Sequence, residues 1–243
     1  MTDTVAAPFT RLADVYDAIM VDVPYDDWVA FLLREATARG FAGGRLLDVA
    51  CGTGNATVPV RQRGFGVDGV DGSDAMLAVA RRKLPEVRFV HGDLRRFATG
   101  RRYALAYAIF DALNNLLADD DFVRAARRVR RHLLPGGLFA FDCNTRQGLR
   151  ELWEHGTAEG DHDTVRYRWV HHYDPERELA TVEATCSDAA GTFTEVHHER
   201  PYDPDDLVRL LRRAGFGAVD VIVHPDGQVA RAHDPRVWAF ARA

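Results

Sequence analysis

Residues 46–55 read Leu46-Leu47-Asp48-Val49-Ala50-Cys51-Gly52-Thr53-Gly54-Asn55. An apolar run meets an acid, then a glycine-bearing bend, then a segment with helical periodicity. That order describes a buried strand turning into a helix. A strand ending in such a bend points backbone N–H groups at a ligand. Gly52 and Gly54 have no Cβ, so they reach positive φ without penalty and let a ligand lie against the main chain. The flanking residues narrow the ligand. A phosphate-cradling loop needs the pattern GxxxxGKS/T, and no such string follows Gly52. A dinucleotide fingerprint needs a glycine or alanine at its third small position, which Thr57 occupies here. A nucleoside without a pyrophosphate needs fewer helix-end donors and more acceptors, and Asp48 at the strand end suits that need.

The rest of the chain supplies the frame. With 243 residues, 47% of them hydrophobic and 28% charged, it has enough apolar material for a full core. A net charge of −5 argues against a general nucleic-acid binder. Lys83 is the single lysine beside many arginines. Cys51, Cys143 and Cys186 are few, odd in number and far apart, so neither a disulfide framework nor a metal site is expected. The opening Met1-Thr2-Asp3-Thr4 lacks a charged, then apolar, leader, and no apolar run reaches membrane length. A reducing cytoplasm is the expected setting.

Periodicity places the elements. Residues 1–10 read as loose. Leu12, Val15, Tyr16 and Ile19 share one helical face, Pro24 breaks that helix, and Asp26 or Asp27 caps a second one carrying Trp28, Phe31, Leu32 and Ala36. Strands follow at residues 65–70, 87–90 and 103–110, with helices between them. Ser73 or Asp74 caps the helix that carries Met76 inward. Asp119, Asp120 and Asp121 open a helix at its positive end. Pro135-Gly136-Gly137 turns the chain into a strand at 138–142. Residues 165–173, 178–186 and 193–198 alternate apolar and polar and read as a three-stranded antiparallel meander. A helix opened by Pro204 and a closing strand pair at 219–223 and 237–240 complete the chain. The loop at 225–235 is too long for a tight turn, which predicts mobility.

Asp48-Val49-Ala50-Cys51-Gly52-Thr53-Gly54 resembles motif I of the class I S-adenosylmethionine (SAM) dependent methyltransferases. Val67-Asp68-Gly69-Val70-Asp71-Gly72-Ser73 resembles their second strand, whose terminal acid holds the ribose hydroxyls. Val90-His91-Gly92-Asp93-Leu94 resembles their adenine-binding turn. The resemblance is close over residues 40–145 and looser at the ends. It implies an α/β fold, a Rossmann-like seven-stranded sheet of order 3-2-1-4-5-7-6 flanked by helices. Residues 1–145 and 201–243 then make the SAM-binding core with an N-terminal helical lid, and residues 146–200 an antiparallel insertion over the site.

The same resemblance implies SAM as cofactor and S-adenosylhomocysteine (SAH) as product. It assigns cofactor contacts to Tyr16, Asp48, Ala50, Cys51, Gly52, Gly54, Asp71, Gly72, Met76, Gly92, Asp93, Leu94 and Phe110. Asp93 would accept the adenine amine, with the Leu94 N–H reaching the ring. Ligands collect outside the carboxyl ends of an open sheet. Asp111, Asn114, Asn115, Asp142 and Asn144 are therefore acceptor-side candidates, and the resemblance, which places the N-terminal part over the cofactor as a lid, adds Tyr25 and Trp28.

His171 and His172, like His197 and His198, are adjacent pairs, so each pair offers one ring to each face of a strand. His171 and His172 are the candidates for a proton acceptor. The expected partner is a small molecule methylated on N or O, acted on by a monomer or homodimer. RNA methylation and SAM binding without transfer are the alternatives.

Overall fold

The computed structural model describes residues 4–153, 156–162 and 164–243. The chain runs through β1 (Thr4–Ala6), a 3-10 turn (Arg11–Asp14), α1 (Tyr16–Ile19), α2 (Tyr25–Ala38), β2 (Leu46–Val49), α3 (Thr57–Gln62) and β3 (Val67–Asp71). Next come α4 (Asp74–Lys83), β4 (Arg88–His91), β5 (Tyr103–Ala108), a second 3-10 turn (Ala112–Asn115), α5 (Asp119–Arg131), β6 (Leu133–Asn144) and α6 (Arg146–Trp153). It closes with β7 (Thr157–His162), β8 (Val165–Asp174), β9 (Leu179–Asp188), β10 (Gly191–Glu199), α7 (Pro204–Arg213), β11 (Val219–Ile222) and β12 (Arg236–Arg242).

Seven strands form one sheet in the order β11-β12-β6-β5-β2-β3-β4. Counted from the β4 edge, with these strands alone numbered along the chain, that is the expected 3-2-1-4-5-7-6. The five central and edge strands β2 to β6 pair in parallel, and β12 and β11 return antiparallel. Both faces are covered, which is why these strands read as near-continuous apolar runs. Alternation sorts the side chains. Tyr103, Phe139, Phe141 and Val237 pack with α5 and α7. Leu105, Tyr107, Trp238 and Phe240 pack on the other face with α2 and α4.

Several elements depart from their sequence reading. The first helix splits into a 3-10 turn and a four-residue α1, with Val15 at φ −114° between them. Helix α2 begins at Tyr25, so Asp26 and Asp27 lie in its first turn instead of capping it. Pro135-Gly136-Gly137 does not precede a strand but lies inside β6, as a bulge. The register against β5 jumps from Tyr103↔Leu133 to Leu105↔Leu138, with Gly136 at φ 72° absorbing the extra residues. The 225–235 loop is tied down. Val223 N–H donates to Gln228 O, Thr145 Oγ1 donates to Asp234 O, and Arg34 Nη2 donates to Pro225 O.

The second sheet has the order β1-β10-β9-β8-β7. The meander therefore has four antiparallel strands where three are expected. The added strand, β7, escapes a hydrophobicity reading because Thr157-Ala158-Glu159-Gly160-Asp161-His162 alternates in exposure without an apolar stripe. Residues 4–6, read as loose, pair parallel with β10 instead; residues 1–3 lie outside the described residues.

The segment that follows β1 is fastened by Glu195, a fully buried carboxylate on β10. It accepts N–H bonds from Phe9 (2.7 Å), Thr10 (3.1 Å) and Leu12 (2.9 Å), doing for the 3-10 turn what a helix cap does. Burial raises the pKa of Glu195, but bonds from His197, Leu12 and Phe9 outweigh it and hold the carboxyl below its ordinary value. At its far end the segment is pinned to the core, where Thr53 Oγ1 and Lys83 Nζ both meet Asp17 at 2.6 Å. We expect Glu195→Ala to lower the unfolding free energy by about 1–3 kcal/mol, since it strands buried N–H donors. Urea unfolding measures the loss, and limited proteolysis should then cut first between Phe9 and Tyr16. Unchanged stability and cleavage would remove this role.

Candidate active site

The bend after β2 has the backbone that its glycines suggest. Ala50, Gly52 and Gly54 all have positive φ, at 56°, 52° and 83°. Ala50 takes that conformation without the freedom of glycine, a local strain of the kind that gathers at functional sites. The loop is locked to β3 by the Asp71 carboxylate. Its Oδ2 accepts the Gly52 N–H and its Oδ1 the Ser73 N–H, both at 2.8 Å. A carboxylate has about four acceptor positions. Both oxygens are thus engaged by backbone N–H groups, and the residue lines the cavity. Burial raises the pKa of Asp71, and the N–H groups of Ser73, Gly52 and Gly72 act against it.

Gly69 permits this closeness: a Cβ there would stand 2.6 Å from the Phe89 ring and 2.8 Å from Cys51 Sγ. At the end of β2, Asp48 receives bonds on Oδ2 from Thr57 Oγ1 (2.5 Å) and Tyr107 O–H (3.0 Å). Burial, the largest cause, pushes its carboxyl up to about 7.

A second strained point follows β5. Phe110 and Asp111, neither a glycine, both sit in the left-handed region, at φ 71° and 47°. The Asp142 carboxylate holds the corner by accepting their N–H groups at 2.7 and 3.0 Å. Arg236 closes the arrangement, with Nη1 2.5 Å from Asp142 Oδ2 and Nη2 2.7 Å from Asp111 Oδ2. Its guanidinium lies over the rings of Trp28 (5.1 Å) and Phe110 (5.6 Å). Asn144 Nδ2 adds a 2.7 Å bond to Asp111 and reaches Glu199 at 3.4 Å.

A cavity of about 970 Å³ joins the two points. The parallel sheet's carboxyl ends form its floor. Its roof is the second sheet, through Trp169, His171, Val182, Ala184, His197 and Glu199. Of the cofactor candidates, Tyr16, Asp48, Ala50, Cys51, Gly52, Asp71, Gly72, Met76, Leu94 and Phe110 line it, and of the acceptor-side candidates Tyr25, Asp111, Asn115 and Asn144 do.

Others are placed differently. Gly54 is turned inward toward Leu84 and Phe89. Gly92 and Asp93 border an adjoining hollow with Gly72 and Leu94. Both Asp93 oxygens are bound by the Arg95 guanidinium, which holds that carboxyl down at about 2. Trp28 stacks behind Phe110. Asn114 is a backbone clamp, its amide donating to Asn144 O and Arg200 O. Asp142 is the corner's fastening and does not face the cavity. Strand alternation puts His171 on the cavity side and leaves His172 exposed. The histidine pairs do not meet, because β9 lies between them: His171 and His197 both register with Val182.

Glu199 and Arg236 line the cavity and were not anticipated, and His197, one of the paired histidines, lines it as well. A signal for Glu199 and His197 exists. Phe193 sets the buried parity of β10, and Glu195, His197 and Glu199 fall on that parity as polar residues. Nothing local marks Arg236, which opens an apolar strand.

The pocket fits an adenosyl ligand. The Asp71 carboxylate and the apolar side chains of Met76 and Leu94 line it together. Comparison with known proteins agrees. A family model described as a methyltransferase domain matches residues 46–137. The dTDP-3-amino-3,6-dideoxy-alpha-D-glucopyranose N,N-dimethyltransferase of Streptomyces fradiae is 32% identical over 193 residues, covering 76% of this chain and 74% of that one. A solved S-adenosylmethionine-dependent methyltransferase from Clostridium acetobutylicum has a TM-score of 0.82 at 25% identity, over 96% of this chain and 97% of the other. The sugar N-methyltransferase KedS8 from Streptoalloteichus sp. shares the fold, with a TM-score of 0.79 at 23% identity over 100% and 98%. With the glycine bend, the Asp71 lock and the strand order all in place, the chain belongs to the SAM-dependent methyltransferases.

Proposed function

We propose that this enzyme methylates an N or O atom of a small molecule held beneath the second sheet. One observation carries the reading. A single cavity has the cofactor-type loop at one end and, at the other, a buried polar cluster roofed by β8, β9 and β10. The roof encloses the acceptor, which fits a small molecule better than a nucleic acid. Relatives that share the sequence include N,N-dimethyltransferases of dTDP-amino sugars. An amino sugar or a similar compact amine is the acceptor class we favour. The three cysteines are buried and free, in keeping with a reducing cytoplasm, and among the described residues no helix is long and apolar enough to cross a membrane.

When bound, SAM supplies an electrophilic methyl group on a sulfonium. The chain's work is alignment and exclusion of water. Asp71 holds the ribose hydroxyls with its remaining acceptor capacity. Asp48 faces the amino group of the methionyl part. Met76 and Leu94 flank the base, and we assign Asp93, bound by Arg95, to the shape of that turn. Tyr16 and Tyr25 close the cavity from the N-terminal segment. Both phenols have pKa values raised by burial, so they serve as neutral hydrogen-bonding walls. The strained corner at Phe110–Asp111 fixes where the acceptor meets the methyl.

Two measurements test the assignments. Asp71→Ala should weaken SAH binding about 10- to 100-fold by isothermal titration, the loss expected for hydrogen bonds to a charged group. Unchanged affinity would remove the ribose assignment. Asp48 gives a pH signature. Its folded pKa lies near 7, against about 4 in an unfolded chain. Between those values the folded chain keeps a proton that the unfolded chain has released, so stability falls as pH rises through the window. Asp48→Asn abolishes that titration. Its stability relative to wild type should rise by on the order of 3 kcal/mol between pH 4 and pH 8. Denaturant unfolding at both pH values checks this, and a pH-independent difference would contradict it.

A further inference from the structure

The acceptor end of the cavity holds more hydrogen-bond acceptors than donors. Glu199 is nine-tenths buried, and its one hydrogen-bond partner is the Asn144 amide at 3.4 Å. Asn144 is itself 1% exposed and lines the cavity, yet its Oδ1 has no partner. Its Nδ2 lies between Asp111 and Glu199, which fixes the amide's orientation and leaves Oδ1 as the orphan. The neighbouring cation does not relieve this. The terminal nitrogens of Arg236 are bound to Asp142 and Asp111, and no ion pair joins it to Glu199. Arg236 thus pairs with two of the three neighbouring carboxylates, and the third, Glu199, lines the cavity without an ion pair. Buried acceptors without donors are costly, and such exceptions point to something that completes them.

Resting on the methyltransferase reading above, we propose that Glu199 docks the acceptor's ammonium group and takes its proton before methyl transfer. An ammonium brings three donors and a positive charge, which is what this corner lacks. An alcohol brings one donor and no charge. The step balances. One N–H bond of the ammonium breaks, its electron pair stays on nitrogen, and the proton moves to a Glu199 oxygen. The freed lone pair forms the N–CH3 bond as the methyl–sulfur bond breaks, and that electron pair departs on the neutral thioether. The product is again a cationic amine.

The surroundings suit a proton acceptor. Burial, then the charge of Asp111, raises the pKa of Glu199 well above its usual value, and Asp142 adds to this, while Asn144 and Arg236 oppose it. A raised carboxyl pKa narrows the gap to an amine and eases the transfer.

The test has two arms, both beginning with SAH affinity by isothermal titration. In the first, SAH-loaded protein at pH 7 is titrated with cyclohexylamine and with cyclohexanol, followed by tryptophan fluorescence, since Trp169 lines the cavity. Wild type should prefer the amine by about tenfold, a difference of about 1.4 kcal/mol. Glu199→Gln should erase that preference while SAH affinity stays the same.

In the second arm, a panel of primary amines and matched alcohols is scored for SAH release. Amines should be turned over, and Glu199→Gln should slow the best one by about a hundredfold at pH 7. The variant's rate should recover as pH approaches the amine's own pKa, where no proton needs removing. An equal response to amine and alcohol in wild type overturns the proposal, as does a preference that survives in Glu199→Gln or turnover of alcohols alone. Failure of wild type to bind SAH would instead overturn the cofactor assignment, so the two readings fail separately.

Discussion

The Asp142 carboxylate is the fastening on which the acceptor half of the cavity depends. It sits in β6 with almost no exposure and accepts two N–H bonds from a corner that has no glycine to relieve it. Two residues in the left-handed region carry strain of about 1–3 kcal/mol each, and such strain persists only where the surroundings over-determine it. Asp142 and Arg236 provide that over-determination from two adjacent strands, paired in register at Trp238↔Asp142 and Arg236↔Asn144. The antiparallel return of β12 thus does more than close the sheet. It delivers the cation without which Asp142 and Asp111 would be two uncompensated buried charges. Burial still pushes the Asp142 carboxyl up to about 6 despite the charge of Arg236.

The cofactor half is organised by the same chemistry with a different outcome. Asp71 is held by backbone N–H groups, not by a cation, so it stays an acceptor without a permanent ion partner. One of those N–H groups, that of Gly52, comes from the bend after β2, which lines the cavity. Gly69 matters here although it touches no ligand, because any side chain there would push β3 away from Cys51. Both ends of the cavity use buried carboxylates to shape backbone.

The legibility of this protein in its sequence follows from how local each signal is. The glycine bend, the acid at the end of the second strand and the apolar runs of the parallel sheet are short-range patterns, and they carry the family resemblance that implies the strand order and most of the cofactor-side lining. The acceptor side was half legible. Asp111, Asn115 and Asn144 follow their strands into the cavity, but Asn114 and Asp142 have equally polar side chains that turn to backbone instead. No spacing rule distinguishes a carboxylate that faces a ligand from one that faces two N–H groups. Arg236 is separated from Asp111 by 125 positions, and β7 has no apolar stripe. Both follow from the tertiary arrangement, not from residues near them. The polar residues on the inward parity of β10 were the one legible clue left unread.

The bond from Leu12 to Glu195 spans 183 positions. A ribosome delivers Leu12 early and β10 only after about four-fifths of the chain. Until then the 3-10 turn has no acceptor for its N–H groups, and the roof has neither β10 nor the parallel strand beside it. The parallel sheet from β2 to β6 has all its strands much sooner. During synthesis the strands of the parallel sheet from β2 to β6 are therefore available well before the roof of the cavity can form.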